Sequence, residues 1–340
     1  MKIFGKNPSG AHLNSIKESP QYKLGSFINQ SKTNTFANGV KPIELVKDLF
    51  KTNLNRIPSS PIASIKQNIT TNQKGIYYYW FGHSSYLLII NGFKILIDPV
   101  FSGYASPFSF SIKAFKGSNI YSAEDIGPVD LLIITHDHYD HLDYETILKL
   151  KKQTSKIVCP LGVGSHLNYW GVNSDLINEI DWWKDIKINN DLHITATPAR
   201  HFSGRGFKRA QTLWCSFVLQ TPYGNIFIGG DSGYDKHFKE INKSFNGFKV
   251  AFLECGQYNT KWPYIHMHPE ETVEAAIDLE AYYLLPVHWG KFALAYHAWN
   301  EPAKKIKVIA REKGINVSIP KIGEEVNLEN ILPLNEWWND

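Results

Sequence analysis

Long apolar runs are missing from this chain. No stretch approaches about eighteen uncharged apolar residues, so no membrane-spanning helix is expected. The start, Met1 to Lys6, lacks the apolar core of a secretory leader. Cysteine is scarce. Cys159, Cys215 and Cys255 form no CxxC pair, which argues against both a disulfide framework and a thiolate zinc site. Charge of one sign is scarce too: 36 Lys and Arg face 32 Asp and Glu, a net +4. That excess is too small and too scattered to favour nucleic acid as a partner. No tandem repeat emerges at a simple period. A soluble, reducing, cytoplasmic setting is expected, with peripheral membrane contact left open and a monomer or homodimer as the assembly.

Hydrophobic residues are plentiful, at 43% of 340, and include 10 Trp, 17 Tyr and 19 Phe. They support a substantial core. Residues 1–74 are rich in Asn, Ser, Lys and Pro and poor in periodicity, apart from a short helix expected over Ile43 to Asn53. This region reads as an arm packed on a main domain of residues 75–340. Regular structure starts near Gly75. Ile76–Phe81, Tyr86–Ile90 and Phe93–Ile97 read as strands, the last two joined by the hairpin dipeptide Asn91-Gly92. Strands and helices then alternate through two halves of similar layout, roughly 75–190 and 191–320. The second half includes a helix from Pro269 to about Ala281 and a capped helix over Glu301–Lys313. The fold class is therefore α/β.

One run dominates the chemistry: Thr135-His136-Asp137-His138-Tyr139-Asp140-His141-Leu142. It follows the apolar strand Val129–Ile134, at the strand end where open α/β layers place their sites. So many polar rings need a partner in a core, and a metal supplies one. His136 and His138 are two apart, so an extended backbone turns them the same way. The next turn brings Asp140 and His141 to a neighbouring point. Three more candidates close other strands: His201, Asp231 in Gly229-Gly230-Asp231-Ser232-Gly233, and His288. The seven divide into three imidazoles for one metal, then Asp140, His141 and His288 for another, with Asp231 between. Imidazole with carboxylate suits zinc, and also manganese or iron. Water activated by such a pair attacks phosphorus or a carbonyl.

Other residues are placed around this core. His83 and Asp98 sit at strand ends, at the pocket rim or behind the ligands. His12 and His166 read as structural, and Cys255 as a buried small residue. Arg200, Arg205, Lys208 and Arg209 surround His201 and can face a phosphate. The aromatic loop Phe101, Tyr104, Phe108, Phe110 and Phe115, with Trp262 and Tyr264, can line an apolar groove.

The run Thr135–Leu142 resembles the THxHxDH signature of the metallo-β-lactamase superfamily. That resemblance implies an αββα sandwich, two mixed sheets with helices outside. Further stretches resemble the N-acylphosphatidylethanolamine phospholipase D group: Phe81-Gly82-His83-Ser84-Ser85, His266 with Pro269-Glu270-Glu271, and Val287 to Leu294. Gly10-Ala11-His12-Leu13 and Asp181-Trp182-Trp183 are similar to it as well. The resemblance implies two Zn2+ ions, one on His136, His138 and His201 and one on Asp140, His141 and His288, bridged by Asp231. It implies a phosphodiesterase in which metal-bound hydroxide attacks phosphorus in a phospholipid or small phosphodiester. Asp140, Asp231 and His266 would act in the reaction, with His268 as the alternative to His266. Asp137 stands where the animal enzyme carries an asparagine, and Glu254-Cys255-Gly256-Gln257-Tyr258 also departs from it. A lactonase, a small phosphate-ester hydrolase and a non-catalytic metal-binding scaffold are the competing readings.

Overall fold

Among the described residues, the polar, turn-rich start of the chain builds little regular structure. The computed structural model describes residues 1–41, 55–330 and 332–339; the helix expected over Ile43 to Asn53 lies outside them. A helix, α1 (Gly10–Ile16), precedes a small hairpin of β1 (Tyr22–Lys23) and β2 (Ser26–Phe27). These early residues hydrogen-bond across the later chain. Trp170 Nε1 donates to Lys2 O at 2.8 Å, Lys6 N donates to His166 Nδ1 at 2.9 Å, and Phe27 N donates to Ala210 O at 2.8 Å.

The apolar runs become strands buried on both faces. β3 (Ile76–Trp80), β4 (Tyr86–Ile90) and β5 (Phe93–Ile97) form an antiparallel meander. Asn91 and Gly92 both take positive φ, 50° and 86°, as a two-residue hairpin turn requires. β6 (Val129–Ile133), β7 (Thr154–Pro160) and β8 (Ile177–Ile180) add in parallel. Alternation divides each strand between two cores. Tyr78, Leu88, Ile95, Leu131 and Val158 face the second sheet, whereas Tyr79, Leu87, Leu96, Leu132 and Ile157 face outward. The outward set packs against Ile147 and Leu150 of the helix Tyr144–Leu150 and Leu167 of the helix Gly164–Tyr169.

The second sheet holds β9 (Asp185–Lys187), β10 (His193–Thr197), β11 (Ser216–Thr221), β12 (Gly224–Ile228), β13 (Phe248–Glu254), β14 (Ala281–Val287) and β15 (Asn316–Val317), in sequential order. A final strand, β16 (Glu325–Asn327), returns to pair with β3. Among the described residues each sheet thus has seven strands, both are mixed, and the architecture is the αββα sandwich. Two boundaries differ from the sequence-based expectation. The halves divide before Asp185 rather than after residue 190, because Ile186 pairs with Ile194 of the second sheet. The helix from Pro269 stops at Asp278, because Glu280 turns to φ 51° and Ala281 already pairs with Phe248. Trp337 stacks on Trp289 with ring centroids 5.3 Å apart, which anchors the C-terminal segment beside the loop after β14.

Candidate metal centre

Strand ends from both sheets converge on one buried point. β6 runs out at Ile133, and Thr135 then meets Asp98, one residue past the end of β5. Thr135 N donates to Asp98 Oδ1 at 2.8 Å and Thr135 Oγ1 to Asp98 Oδ2 at 2.6 Å. The backbone then turns: His141 N and Leu142 N both donate to His138 O, at 3.1 and 2.8 Å. That turn folds Asp140 and His141 back beside His136.

Asp231 occupies the middle. Its Oδ2 lies 3.8 Å from His136 Nε2 and 3.7 Å from His201 Nε2. His138 Nδ1 completes this first group, 2.9 Å from His136 Nε2 and 3.2 Å from His201 Nε2. The other oxygen, Oδ1, lies 3.1 Å from His141 Nε2 and 3.1 Å from His288 Nδ1. Asp140 Oδ2 stands 3.6 Å from His141 Nε2 in this second group. The structure therefore brings all seven expected ligand candidates together: His136, His138 and His201 gather with Asp231, Asp140, His141 and His288 gather with His83, and Asp231 Oδ1 reaches across to the second set.

The donor set fits cations. His141 Nε2, Asp231 Oδ1 and His288 Nε2 are buried and have no hydrogen-bond partner. Buried polar atoms without partners are costly, and a metal held between His141 Nε2 and Asp231 Oδ1, which lie 3.1 Å apart, would satisfy both. Imidazole and carboxylate donors without thiolate suit zinc, manganese or iron. Burial lowers the pKa values of His136, His201 and His288 well below the ordinary histidine value, so these rings stay neutral and keep a lone pair for a metal. Burial pushes the Asp231 carboxyl up to about 6, with His141 pulling the other way. For Asp140 burial also opposes charge, yet His141, His83 and His138 together hold its carboxyl well below the usual range.

Supporting residues orient the ligands. Asp98 Oδ2 lies 2.7 Å from His141 Nδ1, which leaves Nε2 as the nitrogen turned to the centre. His83 Nε2 lies 2.9 Å from Asp140 Oδ2, and its ring lies 4.1 Å from that of His288. Asp137 turns away from the centre. It accepts from Gly204 N at 2.6 Å and Thr212 Oγ1 at 3.0 Å, and lies 3.2 Å from His166 Nε2. His166 thereby links the histidine run to Lys6, while His12 pairs with Glu179 at 2.5 Å.

With this geometry the comparison with known families is decisive. Residues 94–289 match the model of the β-lactamase superfamily domain. The chain belongs to the β-lactamase superfamily. An uncharacterised protein of Mycobacterium tuberculosis is 36% identical over 97% of this chain and 91% of its own length. The mitochondrial N-acyl-phosphatidylethanolamine-hydrolyzing phospholipase D of Saccharomyces cerevisiae is 36% identical over 70% of this chain; the match spans 53% of that protein. A metallo hydrolase of Ignicoccus hospitalis superposes with a TM-score of 0.58 at 20% identity, covering 74% of this chain and 97% of its own, which shows the shared fold. Superfamily fold and paired His/Asp clusters together make this a metal-dependent hydrolase.

In this member of the superfamily, one residue escaped the sequence reading. Glu254, at the end of β13, lies fully buried against His266, with Oε2 2.6 Å from Nδ1. Its Oε1 accepts from Ser232 N at 3.1 Å and Met267 N at 3.0 Å. A signal was present: an acidic residue closing an apolar strand, as Asp231 does beyond β12. His266 reaches the centre, its ring 5.1 Å from those of both His201 and His288. His268 instead starts the helix Pro269–Asp278, with its ring 4.8 Å from that of Tyr258.

Two other expectations need correction. Arg205 is buried and donates to the carbonyls of Asp137, Leu142 and Ile3, so its guanidinium is spent on backbone. Arg200 is held by Thr33 Oγ1, Tyr234 O and Lys32 O. Of the four basic residues only Arg209 lines the cavity beside His201. That cavity has a volume of about 500 Å³, and its apolar lining comes from Phe27, Ile28, Phe202, Trp214 and Ile265. The Phe101–Phe115 loop does not line it: Phe115 is buried, Phe101 packs on Phe81, and Phe108 stacks on Phe110 at the surface.

Proposed function

We propose that this protein is a zinc-dependent phosphodiesterase acting on an amphiphilic phosphodiester, an N-acylated phospholipid or a smaller relative. The observation that carries the reading is Asp231, whose two oxygens face two separate ligand sets, one of which includes His201 in the wall of a largely apolar cavity. A metal pair held there supplies Lewis acidity toward phosphoryl oxygens and a water of lowered pKa. The similarity to the yeast phospholipase supports phosphorus as the centre attacked.

The chain's own residues handle the leaving group. Burial raises the Glu254 carboxyl well above its usual range and lowers His266 below the ordinary histidine value, so both stay neutral. Glu254 Oε1, taking two backbone N–H groups, is then the carbonyl oxygen, and Oε2–H donates to His266 Nδ1. That fixes the proton of His266 on Nε2. As the P–O bond to the alcohol breaks, Nε2 gives its proton to the departing oxygen. The Glu254 proton follows to Nδ1, and the resulting carboxylate stays held by Ser232 N and Met267 N. His266 is the catalytic acid in this scheme and Glu254 positions and recharges it.

Parallel assays test the reaction class, on N-acylphosphatidylethanolamine, bis(p-nitrophenyl) phosphate and a lactone panel, with Asp231→Asn as background. Asp231-dependent release of N-acylethanolamine is expected. Rapid lactone opening without phosphodiester cleavage would sink the proposal.

A further inference from the structure

We infer that the tips of the β1–β2 hairpin and of the loop 203–210 form a docking surface for an anionic phospholipid bilayer. Each tip carries one large apolar residue in full contact with solvent: Leu24 at 107% relative exposure and Phe207 at 110%. The two tips are neighbours. Phe27 N donates to Ala210 O at 2.8 Å, and Gln211 Nε2 donates to Gly25 O at 3.1 Å. Both are closed by tight backbone geometry. Leu24 and Gly25 take φ of 52° and 85° in the hairpin turn, and Ala210 N closes the second loop onto Ser203 O at 2.8 Å.

Charge decides the partner. Lys23, Lys32, Lys208 and Arg209 are exposed around the two tips. Neither residues 19–41 nor residues 192–230 contain a single Asp or Glu. Apolar tips ringed by cations, with no acid in either segment, match a surface of negative headgroups over an apolar interior. A second copy of this chain would set the same cations against each other. The surface also borders the cavity. Phe27, Ile28, Lys32, Phe202 and Arg209 line the path from these tips to His201. On this inference, a lipid leaving the bilayer between Leu24 and Phe207 enters the cavity whose wall includes His201.

The inference deepens the amphiphile reading above, yet its test needs no turnover. Cosedimentation would compare vesicles of phosphatidylcholine with vesicles containing phosphatidylglycerol. Binding is expected to the anionic vesicles and to weaken with salt. Leu24→Ser with Phe207→Ser should weaken it about tenfold or more, and Lys23→Glu with Lys208→Glu about tenfold. All four positions are exposed, so unfolding midpoints and bis(p-nitrophenyl) phosphate hydrolysis should stay at wild-type values. Absence of binding to anionic vesicles, or equal binding by the Leu24→Ser/Phe207→Ser variant, overturns the inference. So does concentration-dependent self-association abolished by Phe207→Ser in place of vesicle binding. Vesicle binding without phosphodiester hydrolysis overturns the reaction alone and leaves this surface standing.

Discussion

Replacing Glu254 by glutamine separates proton supply from structure. In the neutral carboxyl arrangement, Oε1 accepts from Ser232 N and Met267 N while Oε2–H donates to His266 Nδ1 across 2.6 Å. A glutamine amide reproduces both roles: its oxygen accepts the two N–H groups and its N–H donates to Nδ1. Glu254→Gln should therefore keep the fold, the cavity and metal content. It cannot pass a proton to Nδ1, so His266 cannot be recharged as it gives up the proton on Nε2. General acid catalysis is worth about 100-fold or more, and kcat on an alkoxide-leaving phosphodiester should fall by about that factor. Nitrophenolate departs without a proton, so kcat on bis(p-nitrophenyl) phosphate should change by less than about threefold. Glu254→Ala is the contrasting variant: it leaves two buried N–H groups unpaired, at about 1–3 kcal/mol each, and should lower the unfolding midpoint. Steady-state kinetics on the two leaving groups, with metal content measured on the same samples, decides the matter. An equal loss on both substrates, or a Glu254→Gln variant with full activity on the alkyl ester, refutes the proton path.

Other perturbations follow from the same geometry. Asp98→Asn presents an amide where His141 Nδ1 and Thr135 need acceptors, and should weaken metal affinity about 10- to 100-fold in chelator competition; wild-type affinity would count against that role. His266→Ala should lower turnover with metal content unchanged, whereas His268→Ala should mainly destabilise the start of its helix; a turnover loss confined to His268→Ala reverses the assignment. Lys291 is buried, donates to Phe81 O and Val100 O, and has its pKa lowered by burial to about 7. Between that value and the 10.5 of a free lysine, the unfolded chain binds one more proton than the folded one, so stability rises with pH across this window. Urea midpoints of Lys291→Met should lack that rise, and an unchanged slope would show that Lys291 is not its source.

Much of the fold was legible because its strands are uninterrupted apolar runs with turn residues between them. Val129–Ile134 could hardly be anything but a buried strand, and Asn91-Gly92 announces its hairpin. Helix ends were less legible. Glu280 closes its helix through a positive φ that no glycine or asparagine marks. Ile186 looked like part of the first half because sequence order says nothing about which sheet edge a short strand joins.

The site divides the same way. The spacing of His136, His138, Asp140 and His141 on one turn, and the placement of His201, Asp231 and His288 at strand ends, are local properties that the sequence alone determined. Period-two geometry and strand-end position suffice for them. Which Asp231 oxygen faces which ligand set, the proton partner Glu254 and the diversion of Arg200 and Arg205 largely to backbone carbonyls were decided only by tertiary structure. Each depends on which buried atoms lack partners once the two sheets are packed. A residue's chemistry is written in the chain, but whether it is spent on structure or left for substrate is settled by what surrounds it.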